Sequence, residues 1–169
     1  MKIEMLQQPN TCGSCTLCCK VLAIRELNKE KDVWCTHASR AKGCDIYGHH
    51  PESCQNFFCE WLSGNWHSTF RPDKVHGVST ATTDGTGWLI HEDPGYPGVA
   101  SALMRDYIND YIADGRKFVI VLCGQSRRLI ARPDLAQRML VRDTDEAHKF
   151  KVVTLPDCVR DDIDSSVDA

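Results

Sequence analysis

The sequence predicts an α+β protein in which a small cysteine-rich subdomain packs on a mainly antiparallel sheet with one principal helix. Three observations support this fold class. Eight of the ten cysteines fall between Cys12 and Cys59. Farther along the chain, two pairs of apolar runs are each joined by a short turn that contains glycine, and the segment between these pairs repeats its apolar residues at helical spacing.

A change in composition near Arg71-Pro72-Asp73 divides the chain. We expect a cysteine-cluster region over residues 1–72, an α+β region over residues 73–156 and a frayed acidic tail over residues 157–169.

Few regular elements are predicted in residues 1–72. Residues 21–28 should form a short strand or a helical turn, and residues 51–62 a helix with Pro51 in its first turn. Over residues 11–20, cysteines replace the apolar residues of a regular element, so the periodicity is poor. This half of the chain therefore needs a source of stability other than regular packing.

The α+β region contains two hairpin signals. Residues 74–83 and 86–91 are predicted strands, because Asp84-Gly85 between two apolar runs is a strong turn sequence. Residues 117–123 form an apolar run typical of a buried strand, and residues 127–131 are its expected hairpin partner.

Helical periodicity lies between and after these hairpins. The principal helix is predicted from apolar residues at helical spacing, followed by Gly115 as a C-terminal stop; these residues are Val99, Leu103, Tyr107 and Tyr111, with Ile108 and Ile112 beside them. A short helix over residues 133–141 and a strand over residues 150–155 complete the predicted region.

Composition excludes several protein classes. In 169 residues, 42% are hydrophobic and 25% are charged, which is typical of a globular chain rather than a disordered one. No apolar run approaches the roughly 18 residues of a membrane-spanning helix, and the first ten residues lack the apolar core of a secretory signal. We therefore expect a cytoplasmic protein without a membrane partner.

Charge is distributed unevenly. The net charge of -3 argues against a strongly basic nucleic-acid binder, although residues 116–151 carry nine Lys and Arg against four Asp and Glu. That basic stretch is a candidate for phosphate contacts only if the fold brings its charges together.

The cysteine spacing favours metal ligation over disulfides, which form in secreted rather than cytosolic proteins. Cys12, Cys15 and Cys18 are each separated by two residues, so a tight loop can aim their sulfurs at one centre. The run resembles the first three cluster ligands of a bacterial ferredoxin, but the C-x3-C-P continuation is absent. Because adjacent side chains diverge, Cys19 indicates either a second centre nearby or one buried thiol.

The remaining clustered cysteines leave the number of centres open. On one ideal helix Cys54 and Cys59 would lie about 140° apart, so either Cys54 sits where the helix starts or the two serve different centres. Eight thiolates can make two four-thiolate sites, or one site with four structural thiols. The candidate cofactors are zinc or an iron–sulfur cluster, and the candidate ligands are Cys12, Cys15, Cys18, Cys19, Cys35, Cys44, Cys54 and Cys59.

Other residues are expected to have simpler roles. Cys123 is interpreted as a core residue of an apolar strand and Cys158 as a spare thiol in the tail. Three histidines could substitute for a cysteine ligand, namely His37, His49 and His50.

These cysteines, together with Ile46-Tyr47, Pro51, Phe57 and Trp61, resemble the CxxCxxCC, or YkgJ-like, cysteine cluster family. The resemblance covers about residues 10–75. It implies a protein that chelates zinc or iron. The family includes flagellin lysine N-methylases, in which a similar cluster is attached to a longer catalytic chain, so the resemblance also implies a supporting role beside a modifying enzyme.

Three hypotheses of function follow. The first is a metal-binding protein whose cluster is structural or delivers metal to a protein partner. The second is an iron–sulfur protein that transfers electrons or supports an enzyme such as a protein lysine methylase. The third is a zinc-stabilised module for nucleic-acid or protein interaction. The chain alone is not expected to be a methyltransferase, because residues 75–155 lack a glycine-rich turn from a strand into a helix.

Overall fold

The computed structural model describes residues 10–40, 42–142 and 151–154. The cysteine-rich region consists of short elements joined by turns. These elements are helices α1 (Cys18–Val21) and α2 (Glu52–Gln55), 3-10 turns at Arg25–Leu27 and Ser68–Phe70, and the two-stranded sheet of β1 (Ala38–Ser39) and β2 (Gly43–Cys44). Of the two alternatives for residues 21–28, the helical turn is the one present.

A five-stranded sheet forms the rest of the fold, with helices on both faces. Its elements are α3 (Pro72–Val75), β3 (Gly77–Ala81), β4 (Gly87–Glu92), α4 (Val99–Leu103), α5 (Arg105–Ile112), β5 (Phe118–Cys123), β6 (Ser126–Ala131), α6 (Pro133–Arg142) and β7 (Lys151–Thr154). The predicted α+β class is confirmed, as are both hairpins and the last helix and strand. The tail of residues 157–169 lies outside the described residues.

The strands lie in the order β3-β4-β5-β6-β7. The hairpin pairs β3–β4 and β5–β6 are antiparallel, whereas β4–β5 and β6–β7 are parallel. The parallel pairs follow from the helices between their strands, because a helical crossover returns the chain in the same direction. The sheet is therefore mixed, built from antiparallel hairpins placed side by side.

The predicted principal helix is divided into α4 and α5 at Met104, whose φ of -101° and ψ of 10° depart from helical values. Of the apolar residues predicted for it, Ile108 and Ile112 are buried, and Tyr107 and Tyr111 pack against the core while partly exposed. The residues against the sheet are Ala100, Met104, Ile108 and Ile112, whereas Leu103 is 57% exposed.

The predicted helix over residues 51–62 is wrong beyond Gln55, where α2 ends. The chain then turns to the exposed edge of β3. There the Glu60 N–H donates to the Ser79 carbonyl at 3.0 Å, and the Glu60 carboxylate accepts the Ala81 N–H at 3.2 Å. Because Glu60 makes these hydrogen bonds to the unpaired backbone groups of the β3 edge, the helix does not continue through residues 56–62.

One hydrophobic core joins the two regions. Val21, Trp61 and Trp66 of the cysteine-rich region pack with Trp88 and Ile90 of the sheet. The rings of Trp66 and Trp88 meet edge to face with centroids 5.0 Å apart. The cysteine-rich region is therefore anchored on the sheet by apolar contacts as well as by the β3 edge.

Two lysines tie the cysteine-rich region to the ends of the central strands. The Lys20 ammonium lies 2.5 Å from Asp93, which follows β4, and the Lys31 ammonium donates to the Gly124 carbonyl after β5 at 2.7 Å. In the part of the chain that the structure describes, no helix has the length and apolar character needed to span a membrane.

Candidate metal centre

All eight candidate ligands line one cavity of about 170 Å³ in the cysteine-rich region. The remainder of its wall is mostly apolar, and residues such as Leu22, Ile24, Phe57, Trp61 and Leu62 contribute to it. All nine cysteines among the described residues are free thiols. The fold therefore brings together, in reduced form, the eight thiols that the sequence singled out.

The loop from Cys12 to Cys15 is a tight turn, closed by a hydrogen bond from the Cys15 N–H to the Cys12 carbonyl at 2.8 Å. Strand β2 packs directly on this loop. A Cβ at Gly43 would lie 2.3 Å from the Gly13 carbonyl oxygen, so glycine is required there. This close approach brings Cys44, the next residue, to the same cavity as the loop.

Backbone contacts place Cys35 beside helix α1. The Cys35 N–H donates to the Cys19 carbonyl at 3.0 Å, and Asp45, which follows β2, donates to the His37 carbonyl at 2.9 Å. Residues separated by many positions in the chain are thus held together by main-chain bonds.

Cys54 lies in α2, and Glu26 fixes that helix. The Glu26 carboxylate accepts hydrogen bonds from the Ser53 N–H at 3.0 Å and from its hydroxyl at 2.9 Å. Cys59 lies beyond the helix and is buried, and its sulfur accepts the Leu62 N–H at 3.4 Å. Because α2 ends between Cys54 and Cys59, the angular argument from a continuous helix does not apply to this pair.

Cys12, Cys15 and Cys59 are electrostatic neighbours. Burial raises the pKa of Cys12 most, and the thiols of Cys59, Cys15 and Cys19 raise it further. Burial likewise raises the pKa of Cys59, with Cys15 as the contributing thiol.

Cys44 and Cys54 have a different pair of thiol neighbours. Burial is the main cause of the raised pKa of each, and in both cases Cys19 and Cys35 are the thiols that add to the shift. By these electrostatic neighbours, Cys12, Cys15 and Cys59 form one set and Cys19, Cys35, Cys44 and Cys54 another, although Cys19 also affects Cys12.

The thiols of Cys18 and Cys19 affect each other's ionisation. They share a hydrogen bond, which raises the pKa of Cys18 well above its usual value and lowers that of Cys19 to about 7. Beyond this contact, Cys15 and Cys12 are the other thiols that affect Cys18. The two adjacent cysteines thus form the junction of the two sets.

Two cationic side chains that the sequence analysis did not identify lie beside the thiols. Arg71 hydrogen-bonds to the Cys15 side chain, donates to the Ser14 hydroxyl at 2.8 Å, and pairs with Asp73 at 2.8 Å. Lys29 lies near Cys19 and Cys35. Only the break in composition marked Arg71 in the sequence, and no pattern distinguished Lys29 from its charged neighbours.

The donor set fits a thiophilic metal, because cysteine thiolates select zinc and iron–sulfur clusters. In the arrangement seen here, no three Cys, His, Asp or Glu side chains among the described residues converge as closely as a bound ion requires. The cavity is similar in volume to an engineered cavity of about 150 Å³ that admits benzene.

The histidines and the other cysteines are placed as follows. His37 and His50 line the cavity, whereas His49 is exposed and does not. Cys123 is partly buried on β5 and is not among the residues lining the cavity. Cys158 lies outside the described residues.

The basic stretch of residues 116–151 has local partners for several of its charges. Arg128 pairs with Glu92 at 2.7 Å and Arg116 with Asp114 at 3.5 Å, and Lys117 lies 4.6 Å from the centre of the Tyr111 ring. These contacts do not support the hypothesis of a phosphate-binding surface.

Comparison with protein-family models, with curated proteins and with solved structures finds no match to this chain.

Proposed function

We propose that this chain is a metal-binding protein that holds zinc or an iron–sulfur cluster through its eight clustered thiolates. The observation that carries the proposal is that three separate stretches of the cysteine-rich region contribute all eight reduced thiols to one cavity. Core packing alone does not require eight thiols to face one cavity, because apolar side chains would fill the same space equally well.

The thiols are proposed to act as two groups of four. The first thiolate group is Cys12, Cys15, Cys18 and Cys59; the second thiolate group is Cys19, Cys35, Cys44 and Cys54. The electrostatic neighbours of Cys12, Cys59, Cys44 and Cys54 support this division. Four thiolates around a zinc ion, or around the core of a four-iron cluster, leave a double negative charge that the adjacent Lys29 and Arg71 would reduce.

When bound, zinc supplies a structural crosslink, whereas an iron–sulfur cluster supplies one-electron redox chemistry. The residues of this chain hold the thiols in place, and the apolar wall of the cavity limits their contact with water, most of all at the buried Cys35 and Cys59. Trp61 and Ile24, which line the cavity, are 8% and 5% exposed. Limited solvent access stabilises a thiolate-bound centre and sets its potential.

The cellular role we propose is structural support or metal supply for a protein partner, in the cytoplasm, where thiols remain reduced. The resemblance of residues 10–75 to the YkgJ-like family supports the same class of function.

Metal analysis of protein purified without oxygen tests the proposal. We expect bound zinc or iron in the wild type, with visible absorbance in the case of iron–sulfur and none in the case of zinc. Cys12→Ser and Cys15→Ser should each lower the metal bound per chain, whereas the matched Cys123→Ser variant should retain it. A wild-type protein without bound metal that also fails to take up zinc or iron in reducing buffer would overturn the proposal.

A further inference from the structure

The Arg71 side chain connects three separate parts of the chain. Its Nη2 donates to the Ser14 hydroxyl at 2.8 Å, its Nε lies 2.8 Å from the Asp73 carboxylate, and its guanidinium carbon lies 5.9 Å from the centre of the Trp61 ring. Trp61 belongs to the wall of the thiol cavity. Arg71 and Ser14 are 57 positions apart, so the contact between them is made by the fold.

Ser14 lies inside the Cys12–Cys15 loop, which carries two ligands of the first thiolate group. The loop is closed by the hydrogen bond from the Cys15 N–H at 2.8 Å. Strand β2 packs on the same loop, since a Cβ at Gly43 would lie 3.9 Å from the Ser14 Cα. A backbone contact from Gly43 and a side-chain contact from Arg71 therefore hold the loop from two distant parts of the chain.

Arg71 is itself fixed at the start of helix α3. Its carbonyl accepts the Lys74 N–H at 2.8 Å and the N–H of the buried Val75 at 3.1 Å. Its guanidinium is oriented by Asp73, which lies in the first turn of the same helix. A donor oriented in this way loses less conformational entropy when it holds the loop than a free side chain would.

We propose that Arg71 is a positioning residue of the first thiolate group, whose guanidinium holds the Cys12–Cys15 loop through Ser14 and thereby strengthens metal binding by that group. This inference rests on the proposed function and adds the residue that orients the loop. The planar guanidinium is required, because one nitrogen contacts Asp73 while another contacts Ser14, and a lysine ammonium has only one nitrogen.

Two variants separate this role from a simpler one, in which the positive charge of Arg71 attracts the thiolates without directing the loop. Arg71→Lys keeps the charge and removes the contact made by two nitrogens. Ser14→Ala removes the contact on the loop and leaves the charge in place. Positioning requires both variants to weaken metal binding, whereas attraction by charge alone requires that neither does.

The matched control is Arg116→Lys. Arg116 also pairs with an aspartate two residues away, Asp114 at 3.5 Å, but its side chain is 85% exposed and precedes β5 rather than contacting the loop. Zinc affinity and stoichiometry would be measured by competition with a chelator in reducing buffer, and urea denaturation would show that each variant is folded.

We expect Arg71→Lys and Ser14→Ala each to weaken zinc binding about 10- to 100-fold, as is usual when a partner that orients metal ligands is lost. Arg116→Lys should bind zinc within about threefold of the wild type, a margin small beside that loss. Because the two residues form one contact, the double variant should bind zinc about as well as the weaker single variant. Wild-type affinity in either single variant, or losses that add in the double variant, would overturn the inference.

A second measurement locates the effect. In a Cys35→Ser background, which removes a ligand of the second thiolate group, Arg71→Lys should retain its full effect; in a Cys12→Ser background it should cause little further loss. Equal losses in the two backgrounds indicate a general loss of structure and would overturn the assignment. If Arg71→Lys does not fold, the exposed Ser14→Ala decides, because wild-type zinc affinity in that variant contradicts the inference.

Failure of this inference is distinguishable from failure of the proposed function. A wild-type chain that takes up neither zinc nor iron overturns both. A wild-type chain that binds zinc, with Arg71→Lys and Ser14→Ala variants that bind it equally well, overturns the role of Arg71 alone.

Discussion

The cysteine-rich region and the sheet are stabilised in different ways. In the first, both α-helices have four residues and both strands have two. In the second, β4, β5 and β6 have six residues each and pair in continuous register. Long ladders of backbone hydrogen bonds hold the sheet, whereas the cysteine-rich region has only short elements, isolated main-chain bonds and side-chain contacts. We therefore expect the stability of the first region to depend on its thiols more than that of the second does.

Metal removal should have the largest effect, and mainly on one region. A structural zinc site can contribute on the order of 10 kcal/mol to a small domain. After a chelator removes the metal, hydrogen exchange followed by mass spectrometry should show lost amide protection in residues 12–70 and retained protection in residues 77–131. Equal protection before and after verified removal would contradict the comparison, as would uniform loss over both segments.

Breaking the Glu92–Arg128 pair should destabilise the sheet at unchanged metal content. The Glu92 side chain is 0% exposed and also accepts hydrogen bonds from the Ser101 N–H and hydroxyl, each at 2.9 Å. Glu92→Ala should lower the free energy of unfolding by about 3 kcal/mol. This value is at the lower end of the range for removing one partner of a buried ion pair, because Arg128 is partly exposed. Urea denaturation measures this effect.

The matched control for Glu92→Ala is Asp134→Ala, which removes an exposed partner of Arg138. Its effect should be less than about 0.5 kcal/mol. Loss of metal from folded Glu92→Ala protein would show that the two regions are not separately stabilised.

Cys123→Ser should have a smaller effect on stability and none on metal binding. The residue is partly buried on β5, so the change costs packing of about 1 kcal/mol. Thermal melting and metal analysis on one preparation test both statements. Metal loss equal to that of Cys12→Ser would remove the distinction between the sheet thiol and the clustered thiols.

The smallest predicted effect is a pH dependence at the contact between the two regions. Burial lowers the pKa of His91 from 6.5; Lys31 lowers it further, and Asp32 opposes the shift. Below pH 6.5 the unfolded chain binds a proton that folded His91 resists, so stability falls as the pH is lowered from 6.5 and is constant above it. The difference in urea midpoint between wild type and His91→Gln should therefore depend on pH only below about 6.5. A difference that is constant from about pH 5 to 8 would refute this.

The hairpins show why some elements could be predicted. At the first turn, Asp84 accepts hydrogen bonds from the Thr82 hydroxyl at 2.6 Å and the Thr86 N–H at 3.1 Å. These bonds, with that from Thr82 the largest cause, lower the pKa of Asp84 to about 2. All the interacting groups lie within five consecutive residues, so the local sequence is sufficient to specify the turn.

The elements that differ from prediction depend on distant contacts. The helix expected over residues 51–62 ends at Gln55 because Glu60 bonds to β3, and the buried stripe of α4 and α5 is set by packing on the sheet. The parallel pairing of β4 with β5 joins strands separated by a helical crossover. Tertiary contacts of this kind override local propensity.

By itself, the sequence determined which eight thiols cluster, because two-residue spacing and clustering are local properties that a single chain displays directly. Only the tertiary structure decided which thiols are neighbours, since Cys19 meets Cys35 through a main-chain bond and Gly43 brings Cys44 to the Cys12 loop. The same holds for Lys29, whose burial beneath α1 is a property of the folded chain. Long-range proximity depends on how the whole chain packs, and no local pattern records it.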